Sequence, residues 1–76
     1  MLKELDLAAL RVALPAHGLI PGDVGTVVLV HEGGRAYEVE FISADGRTIA
    51  VETLGGDAVE PLTGDRILHV RSLAVA

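Results

Sequence analysis

The chain has no cysteine, tryptophan, asparagine or glutamine, and only one each of lysine, methionine, tyrosine and phenylalanine in 76 residues. Without cysteine there can be no disulfide, no thiolate nucleophile and no Cys-based zinc site. That composition fits a reducing cytoplasm, which is the location the sequence leads one to expect. The arginines, Arg11, Arg35, Arg47, Arg66 and Arg71, are scattered, and the formal net charge is -5. Such a balance repels phosphate backbones, which are met by clustered Lys and Arg. Two aromatic side chains leave nothing spare for stacking bases. No apolar run approaches the roughly 20 residues of a membrane span, and the opening MLKELDLAAL is unlike a secretory signal. What is present is a 50% hydrophobic chain, apolar enough for one packed domain and too short for a second.

Glycine and proline cut the chain into short Val/Ile-rich pieces, the pattern of strands between turns. Residues 6–13, 23–31, 36–42, 48–54 and 59–62 are expected strands, Pro61 confining the last to an edge or bulge. The tail RILHVRSLAVA is either a sixth strand or a docked arm. Gly33 and Gly34 suit a two-residue primed hairpin turn. That turn sets Val30 opposite Tyr37, Val28 opposite Val39 and Thr26 opposite Phe41. The core face would then carry Val24, Thr26, Val28, Val30, Tyr37, Val39 and Phe41. For the next hairpin a three-residue loop, Ala44-Asp45-Gly46, is preferred, because it puts Phe41 opposite Ile49 and Val39 opposite Val51. A two-residue turn would set Val39 against Glu52. Five or six short antiparallel strands in so short a chain predict an all-β fold, a small SH3-like barrel spanning residues 5–73.

The pieces HGLIPGDVGTVV, AYEVEF, ADGRTIAVETL and DRILHVRSL, in this order and spacing, resemble a small, mostly bacterial family of uncharacterised proteins, domain-of-unknown-function family 4926. The resemblance runs from about Leu5 to Leu73 and implies a fold but no activity. Gly64-Asp65-Arg66 departs from the more acidic approach to ILHVR that the family leads one to expect. The element Gly22, Gly25, Val27 is also similar to the strand lead-in of other SH3-like barrels: ribosomal KOW elements, the nitrile hydratase β subunit and a photosystem I accessory subunit. These resemblances imply a docking module for larger partners.

The segment HGLIPGDVGTVV raises the sharpest chemical question, since three glycines and a proline precede a β-branched run. A phosphate loop needs GxxxxGK[ST] leading into a helix. Here there is no lysine, and Asp23 would repel a phosphate. The expected role is structural: a turn at Pro21-Gly22, with Gly25 permitting a bulge or close backbone approach. His17, His31 and His69 have no HxH or HExxH spacing, so no metal is expected. A site joining His17 with Asp23 has no pattern behind it. Glu38, Glu40 and Glu52 are placed on one solvated face, with Glu38 opposite Glu52. Ser43 and Ser72 have no histidine at a meaningful spacing.

These readings point to a non-catalytic interaction module that needs no cofactor and binds a protein partner or a second copy of itself. A nucleic-acid-associated barrel of the KOW kind comes second and a small enzyme third. The expected contact is the outer sheet face, where Val27, Leu29 and Ile42 lie beside Glu38 and Glu40, Leu29 opposite Glu38 and Val27 opposite Glu40; the competing reading is that the N-terminal or C-terminal segment folds across this face and buries it within one chain. Clustered exposed aliphatic side chains mark a contact, and Arg66 or Arg71 of a second chain would pair with those glutamates in a homo-oligomer. Gly22, Gly25, Gly33, Gly34 and Gly46 are the expected structural turn positions.

Overall fold

A computed structural model describes residues 2–73; the last three residues of the tail lie outside it. The domain is all-β. Its strands are β1 (Leu7–Leu10), β2 (Val24–His31), β3 (Ala36–Ile42), β4 (Thr48–Gly55) and β5 (Val59–Pro61), with a single 3₁₀ turn at Pro15–His17 between β1 and β2. They form one antiparallel sheet in the order β4-β3-β2-β1-β5. Strands β2, β3 and β4 fall within a residue of their expected limits. β1 is shorter, and residues 62–73 form an irregular arm rather than a sixth strand.

The sheet does not close into the expected barrel, because its edge strands, β4 and β5, are not paired with each other. It does curl. Ala8 and Leu10 of β1, Val27 of β2, Tyr37, Val39 and Phe41 of β3, Ala50 and Leu54 of β4 and Val59 of β5 belong to one buried cluster. Strands lie about 4.8 Å apart, so a flat sheet would hold its edges too far apart to share one core. Leu2 and Leu19 complete the cluster from the N-terminal strap and the β1–β2 connection. No polar or charged residue is buried among the described residues.

The curl starts in β2, which serves two neighbours with different parts of its length. Val24, Gly25 and Thr26 pair with β1, and Thr26 onward with β3. Gly25 is buried at the changeover, where β3 leaves no room for a Cβ.

Two bulges alter the expected registers. Val30 lies opposite Tyr37 and Leu29 opposite Glu38, as the hairpin glycines require, but Val27 then faces Val39 and Thr26 faces Glu40. Val28 is the extra residue. A one-residue slip exchanges the two faces of a strand: Val27, expected outside as part of the contact surface, is fully buried, and Val28, expected inside, is exposed. In the second hairpin the three-residue loop is present, closed by the Ser43 amide donating to the Arg47 carbonyl and the Gly46 amide to the Ser43 carbonyl. Ile49 is then extra, so Phe41 faces Ala50 and Val39 faces Glu52. Glu38 lies opposite Thr53, not Glu52, and Glu52 shares the inner face with Ala50 and Leu54.

In the first hairpin the Gly34 amide donates to the His31 carbonyl, so Glu32 and Gly33 are the central turn residues, one position earlier than expected. Glu32, Gly33 and Gly34 all have positive φ, as does Gly46 in the second hairpin. Gly34→Val and Gly46→Val should each destabilise the domain by at least ~1 kcal/mol, the scale of backbone strain in a β-branched residue. For a domain this small that lowers the thermal midpoint by about 4–8 °C, measurable by circular dichroism melting. Gly46→Asn, which tolerates the left-handed region, should cost less than Gly46→Val.

Candidate docking surface

Ile20-Pro21-Gly22-Asp23 is a type II turn: proline precedes a glycine at φ 96°, and the Asp23 amide donates to the Ile20 carbonyl at 3.1 Å. The other amides of this loop are also taken. Gly22 N–H donates to the Leu10 carbonyl at 2.8 Å, Leu19 N–H to the Leu14 carbonyl at 3.2 Å, and Ile20 N–H to an Asp23 carboxylate oxygen at 2.8 Å. A phosphate would meet amides already taken and the Asp23 carboxylate, and the one guanidinium at this loop, that of Arg71, is held by Asp23. Gly22 and Gly25 are therefore turn and close-approach residues, as their sequence context implies.

Asp23 turns instead to Arg71, which lies 48 residues away in sequence. Arg71 Nε donates to Asp23 Oδ1 at 2.9 Å, its Nη2 donates to Oδ2, and the same Nη2 donates to the Gly18 carbonyl at 3.0 Å. This two-pronged grip is the strong form of a charged hydrogen bond. The guanidinium's hydrogen bonds hold the Asp23 carboxyl below its usual range, and the carboxylate pushes the Arg71 pKa up. The grip fastens the arm over the end of the sheet. Beneath it His69, Val70, Arg71 and Leu73 line a shallow crevice of about 320 Å³ with Val24 and Ile42.

Arg66 and Arg71 were expected to reach acids of a second chain. Both are held within their own chain: Arg66 Nη1 lies 2.7 Å from Glu60, which also binds Arg11 at 3.4 Å, and Arg71 is held by Asp23.

Two histidine–glutamate pairs join distant segments. His17 Nε2 is 2.9 Å from Glu52, tying the 3₁₀ turn to β4 on the inner side, and His31 Nε2 is 3.2 Å from Glu38 on the outer side. The first pair spans 35 residues and has no local spacing to announce it. It joins His17 to Glu52 rather than to Asp23. The two pairs lie on opposite faces, and among the described residues no group of three or more His, Asp or Glu converges to hold a metal. Ser43 Oγ donates to Asp45 within its own turn.

The outer face is covered only in part: the arm's Leu68 and His69 border Leu7, Thr26 and Ile42, and the rest of the face has no segment over it among the described residues. One row crosses four strands as Leu7, Thr26, Glu40 and Val51, and a second runs Leu29, Glu38, Thr53. Leu7 is 45% exposed, Leu29 40%, Ile42 50% and Val51 48%. The bulge residue Val28 stands at the same edge of the patch. So does Leu5, whose amide donates to the Val27 carbonyl. Leu5 adopts φ 74°, a strained conformation for leucine, and its side chain is exposed. Thr48 Oγ1 donates to Glu40 at 2.8 Å, fixing that carboxylate beside Val51. Of the expected contact residues, Leu29, Glu38, Glu40 and Ile42 do lie on this face; Val27 does not. Leu7 and Val51 were not among the expected contact residues, although both sit at alternating positions of apolar strands.

Fold and surface together define a small single-sheet β domain with one apolar-and-acidic face. The family model described as Domain of unknown function (DUF4926) matches residues 4–61, and the chain belongs to that family. The match takes in all five strands and ends at Pro61, so the arm carrying Arg66 and Arg71 lies beyond it. No curated protein and no solved structure matches the chain. No helix among the described residues is long and apolar enough to cross a membrane.

The Asp23–Arg71 grip makes the arm's attachment testable. A carboxyl whose folded pKa lies below its unfolded value, about 3.9, contributes stability that is present above that value and is lost as pH falls through the folded one. The arm should therefore stay fastened at neutral pH and loosen only in acid. Arg71→Ala and Asp23→Asn should each lower the thermal midpoint at pH 7, and the double variant should be little worse than either. Both variants should also lose part of the parent's fall in midpoint below pH 4. Melting curves from pH 7 to pH 3 check this.

Proposed function

We propose that the chain is a non-catalytic interaction module that docks through its outer sheet face onto a protein surface of aliphatic side chains with a basic rim. The supporting observation is the cluster of exposed Leu7, Leu29, Ile42 and Val51 around Glu38 and Glu40 on a face that no segment within the described residues covers completely. A solvated antiparallel face is ordinarily polar throughout, whereas contiguous exposed aliphatic area marks a contact. The net charge of -5 favours a basic counterpart.

A nucleic-acid reading has less support. Arg11, Arg47, Arg66 and Arg71 are each engaged by a carboxylate of the same chain, and Tyr37 and Phe41 are buried rather than offered for stacking. An enzymatic reading also has less support, because His17 and His31 each meet a single glutamate and the two pairs lie on opposite faces of the sheet. Self-association is favoured by a separate observation, the open edge of β4.

Affinity capture from native-host extract treated with nuclease should retain at least one protein on the parent chain and lose it on Leu29→Glu. In that variant a charge enters the patch beside Glu38. Leu29 is exposed, so the variant should fold, and matched melting curves confirm that it does. Identical sets of proteins retained by parent and variant would overturn the outer face as the docking surface.

A further inference from the structure

The two edges of the sheet are built differently. β5 has three residues and ends in Pro61, which has no amide hydrogen to offer, and its Glu60 is flanked by Arg66 and Arg11. Short length, proline and charge are the devices that blunt an edge. β4 has almost none of them. It runs for eight residues, Thr48–Gly55, pairs only with β3, and contains no proline, lysine or arginine. Its single charge, Glu52, faces the inner side and is engaged by His17. Its one irregularity, the bulge at Ile49, lies next to the hairpin and leaves residues 50–55 in regular register. Thr48, Ile49, Val51 and Thr53 are of the types that favour strands, and Val51 and Thr53 are exposed. An edge of this kind presents a row of unpaired backbone donors and acceptors to another strand.

We propose that two copies of this chain pair antiparallel through β4, joining their five-stranded sheets into one continuous sheet across a two-fold axis. A second copy is the fitting occupant because each chain brings one open edge and one blocked edge. Pairing open edge to open edge is isologous and closes at two, with no free edge left for a third. The sequence of β4 also selects a register. Centred on Val51, the pairing sets Val51 against its counterpart, Ala50 against Glu52, and Ile49 against Thr53. Each Glu52 then meets a methyl group and keeps its own His17. Centred one residue later, the pairing would oppose two carboxylates directly, which is destabilising.

The Val51-centred dimer carries the outer row Leu7, Thr26, Glu40, Val51 across the axis and doubles the face proposed for docking. The dimer itself does not depend on that docking.

The absence of cysteine makes the test clean. Three single-cysteine variants, Val51→Cys, Thr53→Cys and Leu29→Cys, are oxidised in parallel at about 50 µM, a concentration that populates even a modest dimer. At the axis the two residue-51 Cβ atoms lie about 4.5–5.5 Å apart across the strands, close to disulfide range. The two residue-53 positions are offset by about 13 Å along the strand. Val51→Cys should cross-link to a covalent dimer at least tenfold faster than the other two, and the parent should sediment as a dimer. Val51→Cys cross-linking no faster than Thr53→Cys, or a monomeric parent at about 100 µM, would overturn the β4 dimer while leaving outer-face docking untouched. Fastest cross-linking by Leu29→Cys would overturn it in favour of face-to-face association.

Discussion

No side chain fits at Gly25. A Cβ there would lie 2.6 Å from Val39 Cγ1, 2.8 Å from the Glu40 carbonyl oxygen and 2.9 Å from Phe41 Cδ1. All three are closer than non-bonded carbon tolerates, and one belongs to backbone that the sheet holds in place. This missing methyl lets β3 press its buried side chains against the backbone of β2, at the point where β2 passes from β1 to β3. With that approach, five short strands can gather one core that includes Val39, Phe41, Leu10 and Val59.

The surface follows from that economy. The curl directs Leu10, Tyr37, Val39, Phe41 and Val59 inward and leaves Leu7 and Ile42, with Leu29 and Val51, on the convex face among glutamates. The sides of the molecule are finished by long-range ties in place of strand pairing: His17 to Glu52 at β4, and Arg71 to Asp23 over the sheet's end. One edge is blunted and the other is left open. Among the described residues no polar or charged side chain is buried, and no three titratable side chains converge to hold a metal. The proposed docking face and the β4 edge are where the surface is unlike ordinary solvated sheet.

Much of the fold was legible because local chemistry decides it. Val/Ile runs between glycines gave β2, β3 and β4, Pro21-Gly22 is the turn it resembles, and Gly46 closes the three-residue loop it suits. Faces failed where a bulge intervened. Alternation alone cannot show that Val28 or Ile49 is an extra residue, yet each displaces the pairing beyond it by one position, and so Val27 went from expected contact residue to core. The preference for Val39 opposite Val51 failed for the same reason: Glu52 can occupy the inner face because His17 meets it there, a tie formed only in the folded chain. The arm's arginines looked available for a partner because nothing in the spacing of Asp23 and Arg71 reveals that they meet.

The dependence of the fold on Gly25 is most directly tested by adding one methyl group there. Gly25→Ala is compared with Gly64→Ala in the arm, where a Cβ meets nothing within 4 Å. Gly25→Ala should lower stability by at least ~2 kcal/mol, within the range of overpacking in a tight interior, while Gly64→Ala should leave the thermal midpoint within about 2 °C of the parent, as expected of a surface change. Equal midpoints for the two variants, with the amide spectrum of β1 and β3 unchanged in Gly25→Ala, would contradict the account.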